Sequence, residues 1–386
     1  MDPKPDDLRT RIVALVPAIR EHAEEIERAR RLPRATVAAM SSAGVFRLCV
    51  PRNLGGLEAD VATIVSVLEE IAAADGSVGW CAMIGATSGL VSGYLADAEA
   101  RDIYGRSNSI TGGVFAPRGT ARLDGSSYVV SGRWPFASGC EHCTWLMGGC
   151  LVVEGDRPVS DAAGAPQARM VLFPASDATI HDTWDVTGLR GTGSHDIEVR
   201  ELRVPRARSV SLASDTPRES GTLYRFPIFG LLAVGIAAVA IGIARRAVEE
   251  LEQLAGTKTP TGARRRLAER SAVQSDVARA QAGIDSARAY LRDVIADAAM
   301  QAEPGVLDIA ARARLRLAAT HATTSAAAAV DRMYEAGGGS SIYAGSLLQR
   351  CFRDVHVATQ HVMVASPTYE LAGRVLLGLP ADTSLL

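Results

Sequence analysis

The stretch YVVSGRWPFASG, residues 128–139, changes character midway. Tyr128, Val129 and Val130 are the aromatic and β-branched types that favour a pleated strand, whereas the second half brings Trp134, Pro135, Phe136 and Ser138 together and closes on Gly139. Only 5% of the chain is aromatic, so two large rings two positions apart stand out. Side chains two apart on a strand share a face. A continuous strand would present Trp134, Phe136 and Ser138 on one side, with Pro135 and Ala137 on the other.

The surroundings agree with a strand-rich block. SSYVVSGRW, TWLMGGCLVV, ARMVLFP, ATIHDTW and HDIEVRELRVP are short apolar or β-branched runs separated by turn residues, the texture of a small β-barrel or sandwich; they predict a middle β-domain over residues 109–212. Before it the apolar residues recur at helical spacing, as in Leu8, Ile12, Leu15, Val16 and Ile19 and again in Ile64, Val67, Leu68 and Ile71, which predicts an all-helical domain over 1–108. VPRNLGGLEAD, residues 50–60, breaks it as a loop. After the β-block the helical period returns, with helices expected from Phe229, over 263–299, over 307–335 and, amphipathic, over 347–364. KTPTG (258–262) and EPG (303–305) separate them, so a helical bundle is expected over 213–386.

Composition limits the function. With 41 Lys and Arg against 43 Asp and Glu, the charge is balanced, which disfavours nucleic acid or a membrane surface as a partner. The longest apolar run, LLAVGIAAVAIGIA at 231–244, is shorter than the ~20 residues of a membrane span and reads as a core helix. The N-terminus carries no apolar signal segment, so the cytoplasm is the expected compartment, where the six cysteines need not be disulfides.

Several motifs have a plain reading. Cys140 and Cys143 form one CxxC on what reads as strand, without a second pair, so no metal is expected. His356 and His361 lie about 140° apart on a helix and do not share a ligand. The glycine- and serine-rich run AGGGSSIYAGS reads as opening a helix, with free N–H groups suited to a phosphate or with no more than a flexible link. The fingerprints of a dinucleotide-binding Rossmann unit, a P-loop and a hydrolase elbow are absent from the sequence.

Five strings in order carry a resemblance: ADGSVGW (74–80), GVFAPRGTA (113–121), YVVSGRWPFASG (128–139), GLRGTGSHDIEV (188–199) and LLQRCFRDVHVATQH (347–361). Together they resemble the acyl-CoA dehydrogenase superfamily, which implies an α+β multidomain fold with an N-terminal helical domain, a middle β-barrel and a C-terminal four-helix bundle around a flavin. The details are more similar to its two-component (group D) flavin-dependent monooxygenases, which carry WPFASG where dehydrogenases have Trp-Ile-Thr and which end in LQRxxRDVHxxxxH. A dehydrogenase segment written E-Y-P-x-E-R-x-x-R-D, aligned on Arg353 and Asp354, puts Gly345 where a catalytic glutamate would stand.

That resemblance implies an enzyme that uses reduced FMN or FAD, delivered by a separate NAD(P)H:flavin reductase, and O2, through a C4a-hydroperoxyflavin, to hydroxylate a small aromatic, indole-like or amine substrate. An acyl-CoA dehydrogenase with tightly bound FAD is the alternative, and a scaffold that has lost the reaction a third. It implies Ser138 at the flavin N5, with Trp134, Phe136 and Phe115 walling the ring. Trp80, Met83 and Phe115 would line the substrate pocket, and His361 would act as base. Arg353 and the backbone and hydroxyls of Gly338, Gly339, Ser340 and Ser341 would hold the phosphate. Arg270 and Gln274 would reach the flavin of a neighbouring subunit in a homotetramer or dimer.

Overall fold

Carboxylates fix where two of the N-terminal helices begin. In the computed structural model, which describes residues 5–155, 157–160, 164–212, 214–302 and 307–386, the Asp60 side chain accepts from the backbone N–H of Thr63 at 2.8 Å and the Asp75 side chain from that of Val78 at 3.0 Å. Each satisfies a donor that the first helical turn leaves open. The N-terminal helices are α1 (Pro5–Ala29), α2 (Arg34–Ala43), α3 (Val61–Ala74), α4 (Gly76–Ser88) and α5 (Asp97–Tyr104).

The strands follow: β1 (Thr111–Asp124), β2 (Ser127–Trp134), β3 (Trp145–Glu154), β4 (Arg157–Pro158), β5 (Ala168–Pro174), β6 (Thr179–His181), β7 (Asp196–Pro205) and β8 (Ser209–Val210). They form one sheet in the order β6-β7-β2-β1-β3-β5-β8, with β4 on β3. Val130, Leu146, Cys150, Phe173, Ile197 and Val199 meet in one apolar cluster, so strands far apart in this order turn their inner faces toward each other and the sheet coils around Trp134. Its ends, β6 and β8, are not paired with each other. The expected barrel is therefore a curled, open-ended sheet.

The last block holds α6 (Thr222–Arg225), α7 (Ile228–Thr257), α8 (Ser271–Ala302), α9 (Ile309–Gly337), α10 (Leu347–Thr359) and α11 (Pro367–Leu376). Helix α7 carries the long apolar run, and 89% of its most apolar window is buried inside the protein, as a core helix requires. It is shared between the blocks: residues of α3, α4, α7, α8, α9 and α10 belong to a single core, so the two helical regions pack as one body. Three local expectations shift. Helix α8 begins at Ser271, with 263–270 forming turns; α10 stops at Thr359, leaving His361 in the turn beyond it; and α11, with Pro367 in its first turn, was not anticipated. The EPG break at 303–305 lies outside the described residues.

Candidate active site

Strand β2 ends at Trp134, and Phe136 takes the left-handed backbone conformation with φ of 65°. A positive φ is uncommon for a bulky residue and turns the chain sharply. The one-face arrangement of Trp134, Phe136 and Ser138 is thereby overturned: the alternation rule applies only while the strand continues. Trp134 is wholly buried in the sheet's core, its Nε1 donating to Gly149 O at 2.7 Å. A Cβ added at Gly119, Gly132 or Gly148 would come within 2.3–2.6 Å of its indole, so glycines on three strands make the slot for one ring. Trp134 belongs to the fold and does not wall a ligand. Phe136 points outward, 66% exposed, with its ring edge-on to Trp184 at 6.0 Å.

Beyond that turn the chain dives inward. Ala137 N–H donates to His195 O at 3.0 Å and Gly139 N–H to Thr192 O at 2.8 Å, clamping the segment to the loop before β7. The Ser138 hydroxyl is buried. Its Oγ accepts from Trp80 Nε1 at 3.1 Å and lies 2.7 Å from Ser194 Oγ, which lies 2.7 Å from Thr192 Oγ1. Thr192 Oγ1 in turn donates to Leu189 O at 2.8 Å, so four side chains from α4 and two loops form an unbroken chain of hydrogen bonds that ends on a backbone carbonyl.

Trp80 also joins Ser138 to His361, whose ring meets the indole edge-on at 5.7 Å between centroids. Burial first, and then the nearby Arg316 guanidinium, push the imidazole down to about 4, so it is neutral near neutral pH. Its Nδ1 accepts from Met363 N–H at 3.2 Å, which puts the ring proton on Nε2. In this tautomer Nε2 is a hydrogen-bond donor where the resemblance implies a base. His356 is elsewhere, paired with Asp331 at 2.8 Å.

Beneath the Leu189 loop lies a buried acidic centre. Asp354 Oδ1 accepts from Leu189 N–H at 2.6 Å, and Leu189 itself is left-handed with φ of 51°. Asp75, Arg350 and Asp354 share the wall of a cavity of about 20 Å³. Burial, and after it the negative charge of Asp75, push Asp354 up to about 7; burial raises Asp75 as well. Arg350 leaves its Nε and Nη1 without a hydrogen-bond partner.

The remaining expected residues divide. Phe115 is half-buried on β1 and packs against the helical core, whereas Met83 is fully buried, its side chain pressed against Gly235 of α7, and is core. The Arg353 guanidinium is committed to Gln349 Oε1 at 2.6 Å, Glu27 at 2.9 Å and Thr187 O; none of these belongs to the glycine turn. That turn, a single 3-10 turn over Gly338–Ser340, follows the carbonyl end of α9 and precedes α10 by several residues, so it opens no helix. Gly338 and Gly339 are exposed, Ser340 is half-buried, and Ser341 is buried with its Oγ donating to Tyr334 O at 2.7 Å. Arg270 and Gln274 are exposed at the start of α8. Cys140 begins a 3-10 turn over Cys140–His142 instead of lying on strand. Thr192, Ser194 and Trp184 had no expected role; the two hydroxyls two positions apart in GLRGTGSHDIEV were the available signal for the first two.

Two segments match the acyl-CoA dehydrogenase family, residues 9–99 its N-terminal domain and residues 234–366 its C-terminal domain. The chain is 33% identical to the indole-3-acetate monooxygenase of Pseudomonas putida, over 95% of this chain and 92% of that one. It is 29% identical to the flavin-dependent monooxygenase, oxygenase subunit HsaA, of Rhodococcus jostii, over 97% of this chain and all of the other. The chain belongs to the flavin-dependent monooxygenases of acyl-CoA dehydrogenase fold. Among solved structures, XiaF from Streptomyces in complex with FADH2 and glycerol superposes on this monooxygenase with a TM-score of 0.89 at 28% identity, over 97% of this chain and 96% of that one. Within the monooxygenase, the hydroxyl chain at Ser138 and the neutral His361 occupy the meeting point of both helical blocks and the sheet.

Proposed function

We propose that this flavin-dependent monooxygenase is the oxygenase half of a two-component hydroxylase. It takes reduced FMN or FAD from a separate NAD(P)H:flavin reductase and places one oxygen atom of O2 on a small aromatic substrate, with an indole-like ring as the first choice. The names of the relatives support this: one acts on indole-3-acetate and another is an oxygenase subunit. The observation that carries the reading is that Ser138 and His361, two groups suited to a flavin and to a substrate, both contact Trp80.

The donor set fits a flavin. Ser138 Oγ, already bonded on two sides, has a further lone pair for a donor at N5; Phe136 offers an exposed ring backed by the buried Trp184, and Trp80 and Phe115 supply aromatic side chains. A bound reduced flavin supplies the electrons that O2 activation requires. The protein's own contribution is to hold the N5 proton at Ser138, to keep water from it with the indole of Trp80, and to donate from His361 Nε2–H to an oxygen of the substrate. A donor in a dry, fixed site is worth more than one in water. Gly338 and Gly339, both exposed, and the half-buried Ser340 are assigned to the flavin phosphate, and the exposed Arg270 and Gln274 to the flavin of a neighbouring subunit in a homotetramer or dimer. Six free thiols suit a cytoplasmic enzyme.

The test supplies purified protein with reduced flavin from an unrelated reductase, offers indoles, phenols and amines, and runs under 18O2. One labelled oxygen in a hydroxylated product is expected. Reduction of a tightly bound flavin by an acyl thioester, without label in any product, would contradict the reading.

A further inference from the structure

The hydroxyl chain has a direction. A carbonyl oxygen only accepts, so the bond between Thr192 Oγ1 and Leu189 O at 2.8 Å uses the single threonine hydroxyl proton. With that proton committed, the 2.7 Å contact between Thr192 and Ser194 has to be donated by Ser194. The 2.7 Å contact between Ser194 and Ser138 has to be donated by Ser138 for the same reason. Trp80 Nε1 has no acceptor capacity and donates to Ser138 from the far end at 3.1 Å. The protons therefore run one way, from Trp80 through Ser138, Ser194 and Thr192 to a backbone carbonyl.

The anchor of this chain is held from below. Leu189 O also receives Trp184 Nε1 at 3.1 Å, and Leu189 N–H is held by Asp354 Oδ1 at 2.6 Å. Gly188 lies so close to the backbone of Arg353 that an added Cβ would come within 2.3 Å of its carbonyl oxygen. Ser194 and Thr192 are both buried, so water does not offer their hydroxyls other partners.

Resting on the assignment of Ser138 to the flavin N5, we infer that Thr192 and Ser194 are positioning residues that make Ser138 an acceptor toward its ligand and so select the reduced flavin over the oxidised one. Reduced flavin carries a hydrogen at N5, and Ser138 retains a lone pair to receive it. Oxidised flavin has a bare N5 that needs a donor, and Ser138 has already spent its proton on Ser194. The enzyme thereby admits the form its reductase delivers and releases the spent form, through groups that never touch the ligand.

The experiment measures dissociation constants for oxidised flavin, by quenching of flavin fluorescence, and for anaerobically reduced flavin, by equilibrium dialysis. It compares wild-type protein with Ser194→Ala, Thr192→Val, Ser194→Thr and Ser138→Ala. Removing the acceptor beyond Ser138 releases its proton toward the ligand, so Ser194→Ala narrows the ratio of oxidised to reduced dissociation constants by about two- to tenfold, the worth of one net hydrogen bond. The change comes mainly from tighter binding of oxidised flavin. Thr192→Val, which keeps the side-chain volume, removes the next acceptor in the chain, so that Ser194 can donate back to Ser138; it narrows the ratio in the same direction and gives a second reading if Ser194→Ala does not fold. Ser194→Thr restores the hydroxyl and the wild-type ratio, which a merely structural role at this site would not predict. An unchanged ratio in both Ser194→Ala and Thr192→Val overturns the inference; if Ser138→Ala still weakens reduced flavin selectively, the N5 assignment survives that failure. No effect of Ser138→Ala on either form, or no binding of either form by the wild type, overturns the N5 assignment and the inference together.

Discussion

Trp134 and Ser138 stand four positions apart and serve different parts of the molecule. Trp134 is the last residue of its strand, sealed in the sheet's core by glycines on three strands, and its one polar atom is satisfied by Gly149. Ser138 has crossed a left-handed turn at Phe136 and sits among side chains of helix and loop, bonded to Trp80 and Ser194. The difference teaches that a side chain's neighbours are set by where the strand ends. Two aromatic residues that looked like one wall are a core ring and a surface ring.

The widest separation is expected in stability. Trp134→Ala leaves a cavity the size of an indole in a slot whose glycine walls cannot collapse inward, so chemical denaturation should show a loss of about 3–5 kcal/mol. Ser138→Ala removes a hydroxyl, strands the Trp80 indole donor and takes away the proton that Ser194 Oγ accepts, at a cost of about 1–3 kcal/mol. Equal losses for the two variants would break the comparison.

The acidic centre under the Ser138 side gives a second, smaller contrast, seen as pH dependence. Asp354 has its folded-state value raised to about 7, above an unfolded value near 3.9. Between those values the folded protein holds a proton that the unfolded chain has lost, so this contribution to stability is complete below about pH 4 and is lost as the pH rises through 7. Asp354→Asn keeps an acceptor for Leu189 N–H and removes the titration. Melting temperatures of the variant, relative to wild type, should therefore improve from pH 5 to pH 7.5. A parallel pair of profiles would mean that Asp354 does not titrate in this window.

The order of helices, strands and helices was legible because apolar spacing changes period near residue 109 and again after 212. Ser138 and His361 could be named from a resemblance, and the structure brings them to one tryptophan. The rest depended on features that a linear reading does not hold. The proton of Thr192 is committed through a left-handed Leu189, whose N–H partner Asp354 lies 165 residues away. His361 fell off the helix predicted for it, and its hydrogen bond with Met363 turned an expected base into a donor. Arg353 carried the right charge for a phosphate, but Glu27, from the other end of the chain, already pairs with it.

The central claim is that the Ser138 hydroxyl, and not the aromatic pair before it, governs the flavin. It is tested most directly by the partition of reducing equivalents between hydroxylated product and hydrogen peroxide in Ser138→Ala, at saturating reduced flavin and with a substrate that the wild type hydroxylates. The account predicts a variant that still folds and consumes O2 but shifts the product-to-peroxide ratio toward peroxide by up to about tenfold, the worth of one hydrogen bond. A ratio equal to that of the wild type would contradict it.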